Sequence, residues 1–236
     1  MAKTNQAPET ISISNPNGEP SVFKLSNAMK EHWKEYWNHC PTILDQINGG
    51  MYDRWFKGKS NMACLDFGAN VGLVSLYMAQ NSKRVISVEP TPEHYSLLEW
   101  NAKQSNSLTL GTIAPIRAAL ADSEKMVDFA SGHATENKIG THGQNQIKVE
   151  AYPLEWFVGE TIIDFCKVDI EGYEIYALSQ EQIEAVAGKV KVFFVEMHPY
   201  ENWGFENMPQ ELKSRFEKAG YKVELLDFQT LIAEWQ

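Results

Sequence analysis

The rhythm of apolar and polar positions changes near residue 60. Ahead of that point Ile11-Ser-Ile-Ser14 alternates strictly, Asn15-Pro-Asn-Gly-Glu-Pro20 is rich in turn formers, and Ser21-Val-Phe-Lys-Leu25 alternates again. A strand, a turn and a strand are expected there. Met29, Trp33, Tyr36, Trp37 and Cys40 then recur at three- and four-residue spacing, which gives a helix one apolar stripe. Ser26 suits its N-cap and Pro41 its end. A short helix closed by Gly49-Gly50 follows, and residues 1–10 read as a tail.

From residue 63 short apolar runs alternate with helical ones. Strands are expected at 63–67, 84–89, 112–119, 162–168 and 190–197, and helices at 71–80, 92–103, from about Tyr173, and at 209–219. Residues 126–130 and 146–151 read as two strands around a polar, Gly-rich loop, and 221–226 with 230–235 as a closing hairpin. This alternation predicts a mostly parallel sheet with helices on both faces. Val192-Phe-Phe-Val195 is apolar at every position, as a strand covered on both sides should be. The change of rhythm divides the chain into an N-terminal hairpin and helical extension, 1–58, and an α/β domain, 59–236. In such a domain ligands bind at the carboxyl ends of the strands, near the point where strand order reverses.

Composition narrows the partners. Lys plus Arg is 21 against 31 Asp plus Glu, a net charge of −10, so phosphate backbones are repelled and nucleic acid is not expected. Cys40, Cys64 and Cys166 are too few and too odd in number for a disulfide framework. Buried thiols in a reducing compartment are expected instead. No apolar run approaches the length of a membrane span, and Met1 to Thr10 has no apolar core of a secretory signal. A cytoplasmic protein without a membrane partner is the expectation.

The strand ends carry the candidate chemistry. The first reads Leu65-Asp66-Phe-Gly68-Ala-Asn70-Val-Gly72. Gly68 and Gly72 permit a tight turn and close approach of a ligand. Asp66 offers a carboxylate suited to an ammonium. Glu89 ends the second strand, about 20 residues on, where an acid can accept hydrogen bonds from ribose hydroxyls. A dinucleotide motif would place its second glycine at Asn70, so that residue argues against NAD or FAD. The fourth strand end, Lys167-Val-Asp169-Ile-Glu171-Gly172, places Asp169 and Glu171 on one face if the strand continues. Glu196 and His198 share a face in the same way, and a histidine's pKa range suits base catalysis. His133 and His142 fall in the Gly-rich region and receive no role.

Together these motifs carry a resemblance. Leu65 to Gly72 is similar to the glycine motif of class I methyltransferases, and Val88-Glu-Pro90 to the acidic motif that follows it. Lys167-Val-Asp-Ile-Glu-Gly-Tyr-Glu174 resembles the signature of the FkbM family of methyltransferases, and Phe194-Val-Glu-Met-His-Pro199 that family's next strand end. The match spans roughly residues 60 to 200, with four motifs in order. The resemblance implies a Rossmann-like α/β fold: a mostly parallel seven-stranded sheet with an antiparallel last strand. It also implies S-adenosylmethionine at the carboxyl edge. Asp66, Gly68, Asn70 and Gly72 would surround its methionine part, Glu89 its ribose, Ala118-Ala119-Leu120 its adenine, and Asp122 the adenine amine.

The activity implied is methyl transfer, with O-methylation of a sugar or small natural product foremost. A hydroxyl acceptor needs a base, and the candidates in order are Asp169, His198 and Glu171. Two carboxylates alone do not establish a metal site, and no metal is expected. The N-terminal helix is a candidate lid and Tyr200 to Phe205 a candidate acceptor wall, whereas Trp33 and Trp37 lie on the stripe and suit core packing. Two rival readings remain: an NAD-dependent oxidoreductase and a non-catalytic cofactor-fold binding protein.

Overall fold

A computed structural model describes residues 7–35, 39–108, 110–131, 138–139, 145–199 and 207–236. Trp37, His133, His142 and the loop 200–206 lie outside the described residues.

The expected N-terminal hairpin is present as β1 (Thr10–Asn15) and β2 (Gly18–Lys24), paired antiparallel. Its alternation buries Ile11, Ile13 and Phe23. Ser26 Oγ accepts from the Met29 N–H at 3.0 Å and starts α1 (Asn27–Glu35). The next helix, α2 (His39–Asn48), begins before Pro41, so Pro41 opens this helix instead of ending the previous one. A missing N–H is tolerated there because first-turn N–H groups have no intrahelical acceptor. The Gly49 N–H closes α2 on Asp45 O at 2.8 Å, and α3 (Asp53–Phe56) follows, an element too short to leave a periodic signal.

This extension covers one face of the sheet. Ile13, Phe23, Met29, Ile47 and Phe56 share one buried cluster with Leu76, Tyr77, Phe165 and Phe194. Polar contacts fix its position: Asn17 Nδ2 donates to Asn81 Oδ1 at 2.7 Å, Gln80 Nε2 to Ser14 O at 2.8 Å, and Tyr77 OH to Asp53 Oδ1 at 2.8 Å.

The alternating region runs β3 (Met62–Phe67), α4 (Leu73–Ala79), β4 (Ser82–Val88), α5 (Pro92–Ser107) and β5 (Thr112–Ile116). It continues through β6 (Ala119–Leu120), β7 (Lys125–Ser131), β8 (Lys138–Ile139), β9 (Asn145–Tyr152) and α6 (Leu154–Val158). β10 (Phe165–Val168), α7 (Glu174–Ala177), α8 (Gln180–Ala185), β11 (Val192–Glu196), α9 (Met208–Lys218), β12 (Tyr221–Leu225) and β13 (Thr230–Trp235) complete it. The central sheet has seven strands in the order β12-β13-β11-β10-β3-β4-β5. β13 runs antiparallel to β11 and β12, and the pairs among β11, β10, β3, β4 and β5 are parallel. The expected mostly parallel sheet with an antiparallel last strand is thus observed.

Three departures from the expected elements bear on the site. The strand expected at 112–119 stops at Ile116, and Ala119–Leu120 pairs instead with β9 in a second, four-stranded sheet of order β6-β9-β7-β8. The strand expected from 162 begins at Phe165, because Ile163 makes only an isolated bridge to Val190. The helix expected from Tyr173 is two short helices. Ser179 separates them by capping α8, its Oγ accepting from the Gln182 N–H at 3.3 Å.

Strand order reverses between β3 and β10, since the chain leaves β3 towards β5 and returns to β3's other side. Register aligns the strand ends there: Lys167 lies beside Asp66, and Phe67 beside Val88. Cys40, Cys64 and Cys166 are free and buried, as expected. Among the described residues no helix is long and apolar enough to cross a membrane.

Candidate active site

The loop after β3 is shaped by close backbone approach. Gly68 has φ +75, and a Cβ on it would come within 1.7 Å of the Asp169 carbonyl oxygen, so only glycine fits. Asn70 is also left-handed, at φ +50, and its N–H donates to Glu89 Oε2 at 2.9 Å. The Thr91 N–H donates to Glu89 Oε1 at 2.8 Å, so backbone groups from two loops hold the Glu89 carboxylate. Gly72 serves packing: a Cβ there would meet Leu98 Cδ1 at 2.6 Å, on α5.

Asp66 is completely buried. Its Oδ2 accepts from Ser75 Oγ at 2.5 Å, and Ser87 Oγ donates to Ser75 Oγ at 2.8 Å. Its Oδ1 is buried without a hydrogen-bond partner. Burial pushes the Asp66 pKa up, against the lowering charge of Lys167.

At the end of β10, Lys167 is buried and donates to Asp169 Oδ2 at 2.7 Å. Burial alone would lower the lysine's pKa, but Asp169 and the charges around it raise it. The strand does not continue as the face-sharing expectation required. β10 ends at Val168, and Glu171 at φ +57 and Gly172 at φ +100 turn the chain sharply. Asp169 and Glu171 reach the same cavity through this turn, not through strand alternation. β11 likewise ends at Glu196, so His198 also lies beyond its strand.

His198 joins the two strand ends. Its Nδ1 lies 2.9 Å from Glu174 Oε1, and its Nε2 lies 3.7 Å from Asp169 Oδ1 and 3.8 Å from Glu171 Oε2. Glu174 is completely buried, and its Oε1 also accepts from the N–H groups of Ile170 at 3.1 Å and Gly172 at 3.2 Å. A carboxylate oxygen opposite Nδ1 places a proton on that nitrogen. Burial lowers the His198 pKa, but the Glu174 hydrogen bond and the charges of Glu174, Asp169 and Glu171 outweigh it and raise the value to about 9. The neighbouring Glu196 pKa is raised by the charge of Asp169 and by burial.

These groups line one cavity of about 280 Å³ at the point where strand order reverses. Asp66, Gly68, Asn70, Glu89, Ala119, Asp169, Glu171 and His198 all lie in its wall. Gly72 stands behind the wall. Asp122 is not in the described lining; its carboxylate pairs with Lys125 and accepts from Tyr173 OH at 3.4 Å. The pattern reading did not pick out Glu174, although it stands in the quoted 167–174 motif. It also missed Thr42, Ile43 and Gln46 of α2, and Tyr52, His94 and Phe129, all of which line the cavity. Their side chains arrive through tertiary packing and leave no local spacing to read.

A seven-stranded sheet of this order, with its cavity at the reversal point, is the Rossmann-like fold of class I methyltransferases. Residues 66–223 match the methyltransferase FkbM domain, and the chain belongs to the FkbM methyltransferase family. A crystal structure of methyltransferase FkbM from Methylobacillus flagellatus KT is similar at TM-score 0.54 and 13% identity, over 89% of this chain and 56% of that one. This chain therefore spans little more than half the length of that protein. Precorrin-6y C5,15-methyltransferase from Geobacter metallireducens GS-15 is similar at TM-score 0.46 and 14% identity, over 78% of this chain and 85% of that one. At 13% identity the likeness to the Methylobacillus protein is one of fold. A search of curated proteins found no match.

Proposed function

We propose that this methyltransferase uses S-adenosylmethionine to methylate a hydroxyl on a sugar or small natural product. The observation that carries the cofactor reading is the pair Asp66 and Glu89: two buried carboxylates at adjacent strand ends, both in the wall of one cavity. The buried, unpartnered Asp66 Oδ1 suits the ammonium of an amino-acid ligand. Glu89, held from behind by two backbone N–H groups, suits ribose hydroxyls. Ala118, Ala119 and Leu120 offer a small apolar surface to the adenine. A pyrophosphate is disfavoured, because the Asn70 N–H is spent on Glu89 and the wall carries several carboxylates.

When bound, S-adenosylmethionine supplies a methyl group on a cationic sulfur, which retains the electrons of the broken bond. The chain's own task is alignment and proton removal. Asp169, held by Lys167 and facing the cavity, is positioned to accept the acceptor's hydroxyl proton as the oxygen lone pair takes the methyl group. His198 is held through Nδ1 by Glu174, which suits it to orientation more than to base catalysis. Thr42, Ile43 and Gln46 line the same cavity, which supports a lid role for the N-terminal extension. The buried free thiols suit a reducing cytoplasm.

Calorimetry with S-adenosylhomocysteine tests the cofactor reading, with NADH titrated in parallel. Binding of the former and not the latter is expected. Heat from NADH alone would replace this reading with the oxidoreductase. Transfer of labelled methyl to a panel of saccharide and small-molecule hydroxyls tests the acceptor class; transfer only to amines would overturn it.

A further inference from the structure

We infer that Asp169, Glu171 and His198 form a binding site for one divalent cation of the magnesium–manganese class at the acceptor side of the cavity. Its role in the reaction rests on the methyltransferase reading above; the site itself does not.

The geometry is that of a three-donor site. One ligand atom from each side chain lies within 4.8 Å of the others. His198 Nε2 is 3.7 Å from Asp169 Oδ1 and 3.8 Å from Glu171 Oε2. Donors about 2.1 Å from a single small cation lie roughly 3 to 4.2 Å apart, so both separations fall in that window. Asp169 divides its oxygens: Oδ2 takes the Lys167 ammonium at 2.7 Å, and Oδ1 faces the histidine.

The support behind the histidine is a separate observation. Glu174 binds Nδ1 at 2.9 Å and is itself fixed by the Ile170 and Gly172 N–H groups. A carboxylate on the far nitrogen is how a metal-ligating histidine is usually oriented. The other oxygen of Glu174, Oε2, is buried without a hydrogen-bond partner, so negative charge behind the ring is not fully compensated.

Charge points the same way. Asp66, Glu89, Asp169, Glu171 and Glu196 line the cavity, against Lys167 as the lysine in its described wall. The two carboxylates suit a hard cation such as magnesium or manganese, and the single imidazole adds the nitrogen donor that manganese also accepts. A cation there would lower the pKa of an acceptor hydroxyl, so that its proton passes to Asp169 more readily as the oxygen takes the methyl group.

The test is titration of the full chain with Mn2+, followed by electron paramagnetic resonance, with S-adenosylhomocysteine binding measured on the same samples. One Mn2+ per chain is expected, displaced by Mg2+, with nitrogen coupling from an imidazole. His198→Gln should abolish that coupling, and both His198→Gln and Glu171→Gln should weaken Mn2+ by about tenfold or more. Retained S-adenosylhomocysteine binding shows that the variants are folded. No Mn2+ uptake by a chain that binds S-adenosylhomocysteine overturns the cation site and leaves the methyltransferase reading standing. Unchanged Mn2+ affinity in both variants overturns it too. Mn2+ uptake sensitive to these substitutions, without S-adenosylhomocysteine binding, supports the site and sinks the cofactor reading.

Discussion

The Asp169 carbonyl oxygen occupies the space that a side chain on Gly68 would need, at 1.7 Å from the ideal Cβ position. The ends of β3 and β10 therefore touch backbone to backbone, which ties the loop after β3 to the turn that carries Asp169 and Glu171. Gly68→Ala should break that contact. The left-handed φ costs about 1 kcal/mol for alanine, and the clash with a carbonyl adds to it. A fall of several degrees in the unfolding temperature is expected, with at least tenfold weaker S-adenosylhomocysteine binding, roughly the effect of one lost charged hydrogen bond. Wild-type binding by Gly68→Ala would mean that the loop can move freely away from Asp169.

Glu89 is held by the Asn70 and Thr91 N–H groups and also faces the cavity, so two of its functions must be separated. Glu89→Gln keeps one carbonyl oxygen and much of the shape. It should weaken S-adenosylhomocysteine by about tenfold, the loss of charge assistance in a hydrogen bond. Glu89→Ala should be worse and should also lower the unfolding temperature, because two backbone donors lose their acceptor. Equal affinities for wild type and Glu89→Gln would remove the ribose role.

Asp169→Asn tests the base. A loss of about a hundredfold or more in kcat is expected, with S-adenosylhomocysteine affinity within a few fold of wild type. The buried Lys167 would lose its charged partner, so stability should be measured alongside. A purely weaker cofactor affinity, with kcat intact, would move Asp169 to the cofactor.

Much of this site was legible because its residues sit at strand ends with local consequences. Gly68 is fixed by a positive φ and a close backbone, Asp66 by its place near the end of an apolar strand, and Glu89 by its place just after another. What was not legible depended on packing. Asp169, Glu171 and His198 come together only because the chain turns off after β10 ends at Val168 and β11 at Glu196, with Glu171 left-handed. Pro41 looked like a stop because a proline's tolerance in a first turn depends on where the helix begins. Ala119 stayed in the site while its strand left the central sheet, since β9 offered a new partner.

The N-terminal extension contributes Thr42, Ile43 and Gln46 to the cavity. Gln46→Ala should raise the acceptor KM several fold and leave S-adenosylhomocysteine affinity unchanged, because the residues proposed to hold the cofactor lie at the strand ends and not in α2. Steady-state kinetics with the acceptor varied at saturating cofactor checks this. Parallel losses in both would place α2 over the cofactor instead.

The thiols give a pH prediction with a definite sign. Burial pushes Cys40 and Cys64 up to about 12 from an ordinary value of 9.0; for Cys64 the hydrogen-bonding contact with Ser82 Oγ, at 3.1 Å, only partly opposes this. Burial also raises Cys166, helped by the charge of Asp66. A thiol with a pKa near 12 is ionised in about one molecule in ten thousand at pH 8, and the thiolate is the nucleophile. The folded protein should therefore leave Ellman's reagent almost uncoloured at pH 8, and guanidinium should release three thiols per chain. The folded state prefers the protonated thiols, so their contribution to stability is intact below the unfolded value near 9 and is lost as pH climbs towards 12. Guanidinium midpoints should accordingly fall from pH 9 upward. A rapid reaction of even one thiol in the folded chain at pH 8 would show that a cysteine reaches solvent through local opening, and would place that opening in α2 for Cys40 or the sheet for Cys64 and Cys166.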